Sequence, residues 1–238
     1  MPSRPFLLLQ RLRAVLRPTG LCGLCALPST QPLCEPCQAQ YLPPEPTRCQ
    51  RCALKLAGGA VVCGTCLKSP PPYIQALALG DYAEPIDRLV QRLKFGGEPA
   101  IGRWLGRLLA QRWQQDGRTL PDLVVPVPLS KARLQARGYN QSWEMARGFA
   151  GELNLRARSD VLLRVRDAAP QSGLPLAQRA RNIRGAFTAP RALEGARLLL
   201  IDDVMTTGST LTEAAAVLLR QGASEVSVAV ALRTPPPR

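Results

Sequence analysis

The sequence predicts an α/β domain with a parallel sheet, preceded by a small cysteine-rich domain. All eight cysteines lie before the stretch "SPPPY" at residues 69–73, and none follows it. After that stretch, apolar runs of strand length alternate with amphipathic runs of helix length. Strands that are apolar on both faces and separated by helices are typical of a parallel sheet covered on both sides. We therefore place a domain boundary at 69–73, with the three prolines as a stiff spacer.

The expected strands are "IQALALGDY", "LVVPVP", "VLLRV", "RLLLI" and "EVSVAVAL". The expected helices are "EPIDRLVQRLKF", "AIGRWLGRLLAQRWQQ", "SWEMARGFAGEL" and "TLTEAAAVLLRQ". Ligands of parallel sheets bind beyond the carboxyl ends of the strands. The loop that follows "RLLLI" is therefore expected to line a binding site.

The N-terminal residues 1–20 form a segment of their own, ahead of the cysteines. Phe6, Leu9, Leu12 and Leu16 fall near one face of a helix, so a short helix is expected there. An amphipathic anchor or a targeting helix is the alternative. No stretch approaches the roughly 20 apolar residues of a membrane span. We expect no stable membrane insertion and a cytoplasmic bacterial protein, with a peripheral position at the inner membrane as the alternative.

Four C-x-x-C pairs occupy residues 21–69 and predict a double zinc ribbon: Cys22 with Cys25, Cys34 with Cys37, Cys49 with Cys52, and Cys63 with Cys66. Joining each pair to its neighbour along the chain needs the shortest loops, and an interleaved arrangement stays open. Disulfides are disfavoured because no convincing signal peptide precedes the pairs. With four protein ligands per ion no catalytic position is free, so the zinc is expected to be structural. A segment this short and poor in aliphatics needs such support.

The stretch "RLLLIDDVMTTGSTL" places two carboxylates and a hydroxyl-rich loop between a strand and a helix. Thr210 and Glu213 have the spacing of a capping box, which predicts a helix from Thr210 to Gln221 with Gly222 as its stop. The loop before a helix N-terminus favours an anion, because unpaired N–H groups and the helix dipole point at it.

This loop therefore predicts a phosphate site, and the two acids beside it predict a site for a sugar diol. The carboxylates of Asp202 and Asp203 accept hydrogen bonds from vicinal hydroxyls. Phosphate and diol together indicate a ribose 5-phosphate. A Walker-type ATPase is excluded because the chain has no Gly-Lys dipeptide. A metal-binding acid pair would leave the hydroxyl loop unexplained.

Composition and charge narrow the class of partner. The chain has 238 residues, a net charge of +14 and a pI near 10.2. Such an excess favours phosphates, nucleotides, nucleic acid or an acidic membrane surface. A solvated arginine-rich face is the alternative. Aromatic residues make up only 5% of the chain, which is poor material for stacking single-stranded bases.

The run from Leu198 to Thr210 resembles the phosphoribosyl-pyrophosphate signature of type I phosphoribosyltransferases. The chain is similar to the ComF family (ComFC/GntX-like) through "RLKFGG", "VPVPLSKARLQARGYNQS", "APQSGLPLAQRARNIRGAF" and the cysteine ribbon. The resemblance implies a type I phosphoribosyltransferase fold at residues 70–238 that binds phosphoribosyl pyrophosphate and magnesium, with an unknown acceptor. It also implies a link to competence and DNA uptake, with single-stranded DNA and DNA-uptake or recombination proteins as partners. The alternative is a single-strand-handling factor that uses this pocket for sensing or for a 5-phosphate end.

The resemblance also implies roles for residues. The expected catalytic residues are Asp202, Asp203 and Lys131. The expected substrate-binding residues are Thr206, Thr207, Gly208, Ser209 and Thr210 for the 5-phosphate, Leu129, Ser130, Arg133 and Arg137 for the pyrophosphate, and Gln171, Arg179 and Asn182 on a mobile loop. The chain has no histidine, so the base that deprotonates an acceptor stays unassigned.

Overall fold

The computed structural model describes residues 20–44, 47–166 and 183–236. Contacts divide the chain into two compact units, Met1–Leu42 and Pro43–Arg238. The helix predicted within residues 1–20 lies outside the described residues except for its last position, and Gln171, Arg179 and Asn182 lie outside them altogether. Among the described helices, none has the length and apolarity that a membrane crossing requires.

The first unit holds the first two C-x-x-C pairs. Its strands β1 (Gly20–Leu21) and β2 (Pro28–Ser29) pair antiparallel, and helix α1 spans Glu35–Tyr41. Cys34 is the N-cap of α1 and Cys37 lies on its buried side. The hairpin and the start of the helix bring the two cysteine pairs together.

The second unit holds the last two C-x-x-C pairs and the α/β domain. In chain order it contains α2 (Gly64–Lys68), β3 (Gln75–Asp81), α3 (Asp87–Phe95), α4 (Pro99–Gln115), β4 (Leu123–Pro126), α5 (Lys131–Arg137), α6 (Gln141–Glu152), β5 (Leu163–Arg164), β6 (Phe187–Thr188), β7 (Arg197–Met205), α7 (Ser209–Arg220) and β8 (Glu225–Arg233). The third and fourth pairs thus belong to the same compact unit as the sheet, and the domain boundary at 69–73 stays a prediction.

The central sheet is parallel and four-stranded, in the order β3-β8-β7-β4. The predicted parallel sheet is confirmed. The run "VLLRV" was wrongly expected to be one of its strands: only β5 forms there, and it pairs antiparallel with β6. The outer edge of β4 is already occupied, because Val124 exchanges backbone hydrogen bonds with Arg156 and Arg158. Val161 and Leu162 instead pack into the core.

Helices cover both faces of this sheet. On one face, Leu198 and Leu200 share a buried cluster with Leu211 and Leu218 of α7. Leu199 and Ile201 alternate with them along β7 and are also fully buried. Helices α4 and α6 also pack on the sheet, with α4 against β3 and β8 and α6 against β4 and β7. Because helices cover both faces of the sheet, consecutive strand residues are buried, and the strands are continuous apolar runs in the sequence.

Two glycines let α4 and α6 approach backbone to backbone. A Cβ on Gly106 would lie 2.0 Å from the carbonyl oxygen of Met145, and one on Gly148 would lie 2.1 Å from that of Arg103. No real Cβ atom tolerates such distances. The close packing fixes α6, whose first turn reaches the acidic end of β7.

The four predicted helices form, with two differences in detail. Helix α5 was not predicted, because its seven residues follow a stretch that reads as a loop. The capping box at Thr210 was wrong: α7 begins at Ser209, its N-cap is Gly208 with φ +82°, and no side chain caps it. Glu213 accepts a hydrogen bond from the N–H of Gly185 instead, at 2.8 Å. Gly222 follows the helix with φ +97°, as expected of its stop.

Candidate functional site

A cavity of about 810 Å³ opens beyond the carboxyl ends of β4 and β7. Its size lies within the range of small-molecule sites. Ten of the predicted site residues line it: Leu129, Arg133, Arg137, Asp202, Asp203, Thr206, Thr207, Gly208, Ser209 and Thr210. The position agrees with the expectation for a parallel sheet, in which loops after the strands form the site.

The segment Thr206–Thr210, here called the phosphate loop, joins β7 to α7. Gly208 takes a left-handed backbone conformation that L side chains rarely adopt. The hydroxyls of Thr207 and Ser209 are hydrogen-bonded to each other at 2.8 Å, and Thr207 Oγ1 accepts from the N–H of Ser209 at 3.2 Å. The N-cap residue Gly208 has no side chain to cap α7, so apart from the N–H of Ser209 the first amides of the helix and its dipole remain available to an anion in the cavity.

Asp202 and Asp203, the acid pair, lie in the second half of β7 and line the cavity. The Oδ1 atom of Asp202 accepts from the hydroxyl of Ser142 and from the N–H of Asp203, both at 2.9 Å. Burial and the neighbouring charge of Asp203 raise the pKa of Asp202 to about 7, although the hydrogen bond from Ser142 opposes this shift. Asp202 therefore keeps its proton to a higher pH than an ordinary aspartate does.

Asp203 is buried and faces a cation that the sequence reading missed. The ammonium group of Lys94, at the end of α3, lies 3.1 Å from Asp203 Oδ2. Within the described residues this oxygen nevertheless has no hydrogen-bond partner, so the contact is ionic without an aligned N–H. A buried carboxylate oxygen without an aligned donor suits a ligand hydroxyl or a metal-bound water.

The stretch "GYNQS" at residues 138–142 positions the acid pair. Gly138, at φ +80°, ends α5 in a left-handed cap. Asn140 begins α6 by accepting from the N–H of Ser142 at 2.9 Å, and its amide donates to the carbonyl of Val127 at 3.1 Å. These bonds hold the start of α6 against the end of β4. The hydroxyl of Ser142 is thereby brought to Asp202, a role that sequence reasoning did not find.

The wall across from the phosphate loop is basic. Arg133 and Arg137 line the cavity from α5, and the guanidinium of Arg137 lies 5.6 Å from the ring centre of Phe95. Ser130 and Lys131 are not among the described residues that line it. Ser130 is instead the N-cap of α5, accepting from the N–H of Arg133 at 3.3 Å. The role assigned to Lys131 stays a prediction.

Lys94 and Phe95 line the cavity, although the sequence analysis assigned them no role. Both belong to "RLKFGG", which supported the family resemblance but received no role. Lys94, Phe95 and Gly97 line the cavity, and Phe95 is 81% exposed. An exposed aromatic residue at the end of an amphipathic helix was the signal that could have found them.

The eight cysteines form two groups, each with sulfur atoms within 4.8 Å of one another. The first cluster is Cys22, Cys25, Cys34 and Cys37, and the second cluster is Cys49, Cys52, Cys63 and Cys66. The sequential arrangement is therefore confirmed over the interleaved one. None of the eight forms a disulfide.

The sulfur spacing fits a tetrahedral metal site. The sulfurs of Cys25 and Cys34 lie 3.6 Å apart, and those of Cys52 and Cys63 lie 3.7 Å apart. Four sulfurs about 2.3 Å from a zinc ion would be about 3.8 Å apart, whereas a disulfide is about 2.05 Å long. Burial raises the pKa of Cys52 to about 11; burial also acts on Cys49, but N–H bonds from Cys63 and Cys52 lower its pKa to about 7. Each cluster could therefore hold one zinc ion.

Comparison with known proteins decides the family. The family described as phosphoribosyl transferase domain matches residues 98–237. DNA utilization protein YhgH of Salmonella typhimurium is 37% identical over 222 residues, which make up 90% of this chain and 97% of that protein. Competence protein F of Haemophilus influenzae is 35% identical over 82% of this chain and 88% of that protein. Competence protein ComFC of Bacillus subtilis is 31% identical over 64% of this chain and 62% of that protein.

The chain belongs to the ComF family. The family identified from the sequence is thus confirmed, together with the phosphoribosyltransferase domain and a cysteine-rich region that could form zinc sites. The phosphate loop and the acid pair of this ComF chain lie within the matched segment, as do α5 and α6.

Proposed function

We propose that this ComF-family chain is a phosphoribosyltransferase that binds phosphoribosyl pyrophosphate. The observation that carries the proposal is the position of the acid pair and the phosphate loop in one cavity, with Arg133 and Arg137 in the same lining. A ribose 5-phosphate needs an anion site and a diol site a few ångströms apart. A pyrophosphate at C1 needs cations beyond the diol.

Each group has a role in this binding mode. The amides and hydroxyls of the phosphate loop bind the 5-phosphate, and the acid pair accepts hydrogen bonds from the 2- and 3-hydroxyls. Ser142 holds Asp202 in place for this task. Lys94 neutralises part of the acid pair in the free protein and lies close enough to contact the ligand.

The transfer breaks the bond between C1 and the pyrophosphate oxygen, and pyrophosphate leaves with the electron pair. An acceptor nitrogen, or water, forms the new bond to C1 and loses a proton. Arg133 and Arg137 stabilise the charge that develops on the leaving group. The acid pair, with its oxygen that lacks an aligned donor, suits a magnesium ion bound with the substrate. Magnesium would neutralise the pyrophosphate.

Binding measurements on a double variant test the ribose assignment. We expect Asp202→Asn with Asp203→Asn to lose measurable affinity for phosphoribosyl pyrophosphate in calorimetry, because amides cannot replace two anionic acceptors. Asp160→Asn, on the exposed segment between α6 and β5, is the matched control and should bind as the unmodified chain does. Unchanged affinity in the double variant would refute the proposal. Pyrophosphate release across a panel of nucleobases, with and without single-stranded DNA, then identifies the acceptor.

A second function is a single-strand-handling factor that uses the same pocket for a 5-phosphate end. The net charge of +14 supports it, as do relatives named for DNA utilization and for competence. Binding through several phosphates weakens steeply with salt, with a slope of roughly −0.7 per contact. The affinity for labelled single-stranded DNA, measured at several salt concentrations, tests this second function. Absence of binding, or an affinity that does not change with salt, would rule it out.

We also propose that the two cysteine clusters hold structural zinc. The sulfur spacing supports this assignment, and each site would contribute about 10–16 kcal/mol of apparent binding free energy to folding. Metal analysis of the purified chain should find two zinc ions per chain. Cys22→Ser with Cys25→Ser should reduce the content to one. A content of zero in the unmodified chain, or no change in the variant, would contradict this assignment.

A further inference from the structure

Arg233 joins the second cluster to the phosphate loop. It is the last residue of β8, and it is only 8% exposed. Its Nε donates to the carbonyl of Cys52 at 3.0 Å. Its Nη1 donates to the carbonyls of Met205 and Thr234, at 3.0 and 2.8 Å, and to that of Thr206. One guanidinium thus connects a cysteine of the second cluster with the residues that lead into the phosphate loop.

Among the described residues, the buried guanidinium of Arg233 has no carboxylate partner. A buried cation needs a compensating charge, because leaving water is costly for an isolated ion. Four thiolates around a divalent zinc ion carry a net charge of −2. A zinc-loaded second cluster would supply a counter-charge that the described acids do not.

Tyr73 fills the space beside this connection. Its side chain is 2% exposed, and a Cβ on Gly208 would lie 3.4 Å from its hydroxyl oxygen. Burial raises the pKa of Tyr73; the charges of Cys52 and Cys66 raise it further, while that of Arg233 opposes them. The pKa of the Tyr73 phenol thus depends on the charges of both the second cluster and Arg233. The second cluster, Arg233, Tyr73 and the phosphate loop form one contiguous group.

We propose that Arg233 is a positioning residue that couples metal occupancy of the second cluster to binding of a ribose 5-phosphate at the phosphate loop. The coupling rests on the proposed function, but its mechanism does not depend on the reaction. Arg233 fixes the carbonyls of Met205 and Thr206, and so sets the peptide planes from which the next amides point into the cavity. Loss of the metal frees the Cys52 carbonyl and removes the counter-charge, so the loop loses its fixed geometry.

Hydrogen exchange tests the coupling without any ligand. The full zinc-loaded chain is compared with Arg233→Gln, with Arg233→Lys, and with the second-cluster variant Cys49→Ser with Cys52→Ser. We expect the hydrogen-bonded amides in residues 206–212, those of Ser209 and Thr212, to exchange about tenfold faster in all three. Lysine keeps the charge but cannot donate to both sides. The control is Cys22→Ser with Cys25→Ser in the first cluster, which should leave these amides unchanged.

Each result of the hydrogen-exchange experiment either supports or overturns the proposed coupling. Wild-type exchange at 206–212 in Arg233→Gln would overturn the proposal, and so would equal acceleration in the first-cluster control. Wild-type exchange in Arg233→Lys would show that charge alone suffices and would overturn the bridging role. If the second-cluster variant fails to fold, the two Arg233 variants still decide, because their cysteines are intact.

A second experiment uses the reciprocity of coupled binding. If zinc in the second cluster changes the affinity for ribose 5-phosphate, then ribose 5-phosphate changes the affinity for zinc by the same factor. Zinc release to a chelator is followed in the first-cluster variant, which retains only the second site. At equilibrium with the chelator, saturating ribose 5-phosphate should raise the affinity of the second site for zinc about tenfold, which is within the usual range of coupling. Arg233→Gln should abolish the effect at saturating ligand. An equal effect in Arg233→Gln would indicate general stabilisation and overturn the coupling. Absence of ribose 5-phosphate binding by the unmodified chain would refute the proposed function instead, and hydrogen exchange would then decide the coupling.

Discussion

Replacing Asp202 by asparagine should stabilise the ligand-free protein at alkaline pH while it removes ribose binding. In the folded chain, burial and Asp203 raise the pKa of Asp202 to about 7. In the unfolded chain an aspartate loses its proton near pH 4. Folding therefore takes up a proton between these values, and the unmodified protein loses stability as pH rises through that window. Asparagine does not titrate, so its stability lacks this loss.

The size of the effect follows from the shift. A rise from 3.8 to about 7 is about three pKa units, and one unit corresponds to 1.36 kcal/mol. This gives an upper bound of about 4 kcal/mol. Asp202 is partly exposed in the cavity and Lys94 offsets part of the repulsion, so we expect about 2 kcal/mol at pH 8 and close to zero near pH 4.

Urea unfolding of the zinc-loaded proteins, at pH steps between about 5 and about 8, measures this difference. The cysteine clusters are common to both proteins, so their own pH dependence cancels. The control is Asp122→Asn, because Arg197 lowers the pKa of that exposed carboxyl and the difference should stay constant above pH 5. A stability difference between Asp202→Asn and the unmodified protein that does not grow with pH would refute the reasoning. The reasoning would also be refuted if Asp202→Asn were more strongly destabilised relative to the unmodified protein at pH 8 than at about pH 5.

Three further substitutions test the packing and the cavity. Gly106→Ala should lower the free energy of unfolding by about 3 kcal/mol, because its Cβ would meet a carbonyl oxygen at 2.0 Å. The control Gly151→Ala, in open space on α6, should not lower it. Equal unfolding curves for the two variants would contradict the close approach of α4 and α6. Gly208→Ala and Gly117→Ala should each cost about 1–2 kcal/mol, since both have positive φ. Only Gly208→Ala should weaken ribose 5-phosphate binding in calorimetry, and equal weakening by both would remove the phosphate loop from the site. Lys94→Met should move the pH midpoint of phosphoribosyl-pyrophosphate binding upward, because the Lys94 cation lowers the pKa of Asp202. A midpoint that stays or falls would contradict this effect of Lys94.

The sequence by itself determined the parallel sheet, the four C-x-x-C pairs and the location of the loop before α7. These features depend on local patterns. Apolar runs form buried strands, C-x-x-C turns present two sulfurs, and the N-terminus of a helix presents amides to the loop before it. The same local logic failed where a choice depended on distant partners. "VLLRV" reads as a strand, yet the edge it would need is taken by residues 156–158.

Only the tertiary structure decided which residues serve the loop and the acids. Ser142 reaches Asp202 across 60 positions of sequence, and Arg233 reaches Cys52 across 181. Nothing in the local pattern of β8 marks its last arginine, and nothing in α3 marks Lys94 as the partner of a buried acid. The reason is physical: a side chain acquires such a role from the charge and the unpaired groups that folding brings to it, and those come from other parts of the chain.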